Sequence, residues 1–107
     1  MTNKPAVERN NPLWELAIEY LSHLQFERRL SKNTIYAYNL DLKKYIHFLF
    51  SEFNIISINS IKSYHIENFV EKINSIGAME RKSDLIKSST IHRLFSTIRG
   101  FHQYLCQ

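Results

Sequence analysis

The stretch Glu27–Leu49, "ERRLSKNTIYAYNLDLKKYIHFL", decides the fold. Ser31 is a helix N-cap residue, because its hydroxyl accepts an N–H that the first turn leaves without a partner. From there Ile35, Tyr38, Leu42, Tyr45, Ile46 and Leu49 recur at helical spacing and predict one apolar stripe running to about Ser51. A purely structural helix needs no more than that stripe. The remaining positions, Lys32, Asn33, Tyr36, Ala37, Asn39, Leu40, Lys43, Lys44 and His47, make a second face of cations, amides and an amphipathic aromatic. That face calls for a role outside the core.

Working outward, "NPLWELAIEYLSHLQFERR" predicts a preceding helix. Asn11 is its N-cap and Pro12 its first helical residue. Leu13, Ala17, Tyr20, Leu21 and Leu24 form its buried side. After the central helix, "FNIISINSIK" reads as a connection with apolar anchors. Ser63 is expected to cap a third helix through Ile66, Phe69, Val70, Ile73 and Ile76, and Gly77 to stand just past its end. "AMERKSDLIK" reads as a polar, basic loop. Ser88 or Ser89 opens a fourth helix with Ile91, Leu94, Phe95, Ile98, Phe101 and Leu105 on one side. Four amphipathic helices with short joints predict a compact all-α bundle of four to five helices. Residues 1–10 are expected to be a loose tail ahead of one domain over 11–107.

Composition agrees. The chain has 107 residues, 44% hydrophobic and 13% aromatic, which suffices for one domain with a real core. Two glycines and two prolines are too few for a β sandwich. The single cysteine, Cys106, excludes an intramolecular disulfide and a cysteine metal site, which fits a reducing, cytoplasmic setting. The first residues carry no apolar signal segment and no window is apolar enough to span a membrane. Glu15, Glu19 and His23 align on the first helix, but a bundle metal site would need a matching motif on a second helix. There is no Gly-rich phosphate loop, nucleophile elbow or Cys–His pair. No metal, cofactor, catalytic residue or small-molecule substrate is therefore expected.

The charge is informative through its placement. The net charge of +4 is modest. Yet Arg28–Ser51 holds five Lys/Arg against one acid, Asp41, and Arg81 to the end holds five against Asp84. The outer face of the fourth helix, Ser89, His92, Arg93, Ser96, Arg99, Gly100 and Gln103, has no acid. A merely solvated face usually mixes both signs for i,i+4 pairing, so this one favours a polyanion. Small hydroxyls among arginines suit approach to phosphates and base edges. The candidate polyanion contacts are Lys32, Asn33, Thr34, Tyr36, Lys43 and Lys44 on the second helix, Lys87 in the loop, and Ser89, His92, Arg93, Ser96 and Arg99 on the fourth. Gly100 costs the helix about 1 kcal/mol against alanine, and either a close contact or drift accounts for it. Tyr38 is read as a buried structural residue.

With these residues in view, the chain resembles the N-terminal, core-binding domain of tyrosine recombinases and phage integrases, Xer-type in particular. The first block of that domain is matched by Ser31, Asn33, Thr34, Tyr38, Asp41 and Leu42. The second is matched within "SSTIHRLFSTIRGFHQYL" by Arg93, Ser96, Arg99, Tyr104 and Leu105. The resemblance covers about residues 13–105. It implies a SAM-like bundle forming half of a C-shaped clamp on double-stranded DNA, with the second and fourth helices facing the duplex. It further implies DNA recombination or integration by a longer protein, in a tetramer of recombinase subunits joining two sites. The family's catalytic residues lie in a separate C-terminal domain and have no match here, so the chain reads as a DNA-binding fragment, inactive alone. Where the family often places arginine before the Asp-Leu pair, this chain has Asn39 and Leu40, and its loop over Gly77–Lys87 is long. The alternative reading is a helical protein–protein interaction module with an incidental basic face, for which Trp14, Ile18 and Phe26 offer apolar surface. A helix-turn-helix regulator fits less well, because no short turn sets a recognition helix behind a support helix.

Overall fold

The structure, a computed structural model, describes residues 11–80 and 88–106. Among the described residues it consists of four α-helices, α1 (Pro12–Phe26), α2 (Lys32–Phe53), α3 (Ser63–Glu80) and α4 (Ser88–Leu105), with a 3-10 turn at Ile58–Ser60. The expected all-α, SAM-like bundle is what forms. The loose tail expected at residues 1–10 lies outside the described residues, as does the segment 81–87.

Local chemistry sets both early helix starts. The Asn11 side chain accepts from the N–H of Leu13 at 2.9 Å and of Trp14 at 3.4 Å. The Ser31 hydroxyl accepts from the Thr34 N–H at 3.2 Å. The ends of α1 and α2 close alike. Leu30 N–H reaches the Leu24 carbonyl and Ile55 N–H the Leu49 carbonyl, each spanning six residues. Each is one residue wider than the 6→1 hydrogen bond of an ordinary Schellman turn. A left-handed residue stands just before each donor, Arg29 and Asn54, both at φ 56°. The residue that follows then folds back against the core: Ile55 is buried and Leu30 half-buried.

The third helix departs from expectation. It runs through Gly77 to Glu80, so Gly77 lies inside the helix rather than beyond it. No left-handed glycine is present among the described residues, so the stop that Gly77 would have provided is not used. Ser63 is the first helical residue, not the cap, and the free Lys62 N–H is taken by the His65 ring at 2.9 Å.

The core is assembled from the predicted stripes: Leu13, Ala17, Tyr20, Leu21 and Leu24 of α1, Leu42, Tyr45, Ile46 and Leu49 of α2, Phe69 of α3, and Ile91, Leu94, Ile98 and Phe101 of α4. Tyr38 packs against this core but is only half-buried. Its position on the stripe edge, nearer solvent than its central place on the wheel implied, lowers its expected structural weight. Gly100 has a steric reason. A Cβ there would lie 2.5 Å from the Tyr20 hydroxyl oxygen, so the α1–α4 approach needs the missing side chain.

Candidate nucleic-acid interface

Charge is segregated by helix. α1 carries Glu15 and Glu19 and no lysine or arginine, and α3 carries three glutamates against Lys72. α2 carries Lys32, Lys43 and Lys44 against Asp41 and Glu52. α4 carries Arg93 and Arg99 and no acid. The exposed face of α2 presents Lys32, Asn33, Tyr36, Leu40, Lys44 and His47, and that of α4 presents His92, Ser96, Arg99 and Gln103.

Asp41 does not belong to that exposed face. It is fully buried, 0% exposed, and its carboxylate receives two hydrogen bonds from Arg93 and lies within reach of the Thr97 hydroxyl, both on α4. Arg93 donates through Nε to Oδ2 and through Nη2 to Oδ1, both at 2.9 Å, a two-pronged ion pair. The buried Thr97 hydroxyl lies 3.0 Å from Oδ2 and 2.8 Å from the Arg93 carbonyl oxygen. The carboxylate beside it raises the Arg93 pKa further, chiefly through this hydrogen bonding, so the cation is permanent. The Arg93 side chain remains 35% exposed. Asp41 adjoins Leu40 and Lys44 on α2, while Arg93 adjoins His92 and Ser96 on α4. The exposed stripes of both helices thus border the seam that Arg93 straddles.

Further along the same contact, Tyr45 of α2 meets His102 of α4, with 2.7 Å between the phenol oxygen and Nε2. Burial raises the Tyr45 pKa and lowers that of His102, so phenol and imidazole meet as neutral partners. The paired residues advance in the same direction along both helices. Tyr45 also stacks edge-on against Phe69, and Phe101 packs on Tyr20.

The other candidate residues are distributed as follows. Thr34 is engaged in the α2 cap, its hydroxyl 2.9 Å from that of Ser31. Lys43 is half-buried, its ammonium 5.7 Å from the centre of the Trp14 ring. Lys44 and His47 stand on the rim of a groove between α2 and α3 whose floor includes Phe48 and Phe69. Lys87 and the side chain of Ser89 lie outside the described residues. Gly100 belongs to the α1 contact rather than to the outer face. Sequence reading missed the Asp41–Thr97 and Tyr45–His102 contacts, because partners more than 50 residues apart leave no local signal. On the other side of the question, Ile18 and Phe26 of α1 are exposed, at 48% and 71%. No group of residues able to hold a metal ion occurs among the described residues, and none of the described helices is long and apolar enough to cross a membrane.

Comparison with known proteins agrees with the fold. Residues 17–107 match the model of the phage integrase N-terminal SAM-like domain. The tyrosine recombinase XerD of Staphylococcus haemolyticus is 38% identical over 86 residues, covering 80% of this chain and 26% of that protein. XerD of Staphylococcus epidermidis is 41% identical over 87 residues, again 80% of this chain and 26% of its own length. A tyrosine recombinase of Pseudothermotoga lettingae is 31% identical over 87 residues, covering 81% of this chain and 27% of that protein. The chain thus spans about a quarter of the length of these relatives. No solved structure matches at comparable significance. A matching family model over most of the chain, two helix blocks in the expected order and a four-helix bundle place this chain in the phage integrase N-terminal SAM-like family, as an Xer-like domain of the tyrosine recombinases.

Proposed function

We propose that this chain is the DNA-binding domain of a site-specific tyrosine recombinase or integrase. It grips duplex DNA as one jaw of a clamp, through the exposed faces of α2 and α4. Strand cutting and rejoining fall to a further domain of the longer protein, in an assembly with other recombinase subunits on two DNA sites. The observation that carries the reading is the burial of Asp41, the one carboxylate between Lys32 and Ser51. With it withdrawn, the exposed face of α2 over that span has lysines but no acid, next to the acid-free α4, while most glutamates stand on α1 and α3, with Glu52 at the far end of α2. Lys32, Lys44, Arg93 and Arg99 are phosphate contacts in this reading, with Lys43 and Lys87 as further candidates. Asn33, Tyr36, His92 and Ser96, with Ser89, are the candidates for the backbone or base edges in this reading, and Thr34 supports the start of α2. Few of these are bidentate readers, so sequence preference is modest.

The test is fluorescence anisotropy on a duplex at several salt concentrations. If about four or five phosphates are neutralised, log K falls with log salt at a slope near −4, from roughly −0.9 per contact. The double variant Lys44→Glu, Arg99→Glu, one change on each helix, weakens binding while the helical circular dichroism is kept. A slope near zero, or no binding at low salt, sinks the DNA reading. It would promote the second reading, a helical protein-interaction module, which the exposed Ile18 and Phe26 on α1 favour.

A further inference from the structure

Resting on the reading that this face binds duplex DNA, we propose that Arg93 is a pre-set phosphate ligand, and that Asp41 and Thr97 are positioning residues that hold it ready without touching DNA.

A guanidinium has five N–H donors in a rigid plane. Asp41 takes one from Nε and one from Nη2. Three N–H groups remain on a side chain that is 35% exposed. They belong to a cation at the seam between two exposed stripes, one of which has no acid at all. A planar fork with spare donors matches a phosphate, and this one is already fixed in direction.

Cohesion of the bundle is a poor reason for this network. A buried ion pair roughly breaks even against apolar residues of similar volume, so it is weak evidence for stability. The Thr97 hydroxyl already has the Arg93 carbonyl as a partner within its own helix, yet also lies within hydrogen-bond distance of the Asp41 carboxylate. The distinctive product of the arrangement is the orientation of one cation. Lys32, Lys44 and Arg99 are exposed side chains that give up rotamer freedom when they meet DNA. Arg93 has given up most of its own on folding, so its contact carries less of that cost.

A mere lock between α2 and α4 makes a different prediction, and Asp41→Asn separates the two. That change removes a negative charge beside the DNA face. On charge alone the variant binds duplex DNA more tightly than wild type. If Asp41 aims Arg93, it binds less tightly despite the gain in net charge. The probe is a labelled duplex of about 20 base pairs, titrated by anisotropy across a salt series. Circular dichroism and urea melts set a temperature at which every variant is folded. Arg93→Gln lowers affinity about tenfold and makes the salt slope shallower by about one. Arg93→Lys keeps the slope, because the charge stays, but loses several-fold in affinity, because the fork is gone. Thr97→Val, which changes no charge, weakens binding in the same direction as Asp41→Asn and serves if the latter does not fold.

Wild-type binding combined with Asp41→Asn or Thr97→Val equal to or tighter than wild type overturns this proposal and leaves the DNA reading standing. So does an unchanged slope for Arg93→Gln, or wild-type affinity for Arg93→Lys. Absence of wild-type binding removes the DNA reading and this proposal with it.

Discussion

The contact between α2 and α4 changes chemistry along its length. At its upstream end Asp41, Arg93 and Thr97 meet as a charged, hydrogen-bonded cluster that keeps one cation partly in solvent. Downstream, Tyr45 and His102 share one hydrogen bond within rings that include Phe69 and Phe101. The same pair of helices is thus joined once by polar groups and once by an aromatic core. The first joint costs desolvation for nearly everything it gains. The second buries large apolar area and carries most of the cohesion. A surface proposed to face a polyanion can then be specialised at one end without loosening the bundle at the other.

The sharpest way to break this comparison is to empty each joint. Phe101→Ala, at a fully buried ring, is expected to cost about 3–5 kcal/mol in urea unfolding. The paired replacement Asp41→Leu with Arg93→Met exchanges an ion pair for apolar bulk and is expected to be near neutral or mildly stabilising, by about 1 kcal/mol or more. If the paired replacement costs as much as Phe101→Ala, the polar joint is structural and the division of labour is wrong.

A second pair of variants probes how closely α4 sits on α1 beside the aromatic joint. Gly100→Ala drives a Cβ into the Tyr20 hydroxyl and is expected to destabilise by about 1–2 kcal/mol. With Tyr20→Phe in the same chain that oxygen is gone, and the alanine is expected to recover up to about 1 kcal/mol of helix propensity. Thermal melts of the four members of the cycle give the coupling directly. Simple additivity would mean that the glycine is not there to admit the tyrosine.

The smallest effect sharpens the contrast in protonation. Burial lowers the His102 pKa in the folded protein below its unfolded value of 6.5. The unfolded chain therefore binds the proton first as pH falls. Stability contributed by His102 is complete above about pH 6.5 and declines as pH drops towards the folded pKa. Wild type is expected to lose more unfolding free energy between pH 7.5 and pH 5.5 than His102→Gln, measured by urea melts. Arg93 at the polar joint stays charged throughout this range.

How much of this could be read in advance follows the range of the forces. The caps Asn11 and Ser31 and the five buried positions of α1 were legible, because a cap and a 3.6-residue period act within a turn or two. Gly77 misled, because a glycine permits a left-handed stop without requiring one. The left-handed positions fell instead on Arg29, a residue type that gives no such signal, and Asn54. Arg93 and Asp41 both lie on the polar flanks of their own helices, and only the folded pairing of α2 with α4 reveals that one neutralises the other. The exposed stripes of α2 and α4 were predictable from the wheel, while their meeting along a shared seam was not.

Trp14 is the sole tryptophan of the chain, and the Lys43 ammonium stands 5.7 Å from the centre of its ring. Indole emission shifts colour when a nearby positive charge moves, because the excited state has a different dipole from the ground state. Lys43 lies on the helix proposed to grip DNA, and Trp14 on the helix behind it. A lysine drawn towards a phosphate would therefore change the tint of the fluorescence at a single, unambiguous residue. The chain carries its own dye, placed where α1 meets the helix proposed to grip DNA, and that proposal can be tested without attaching another.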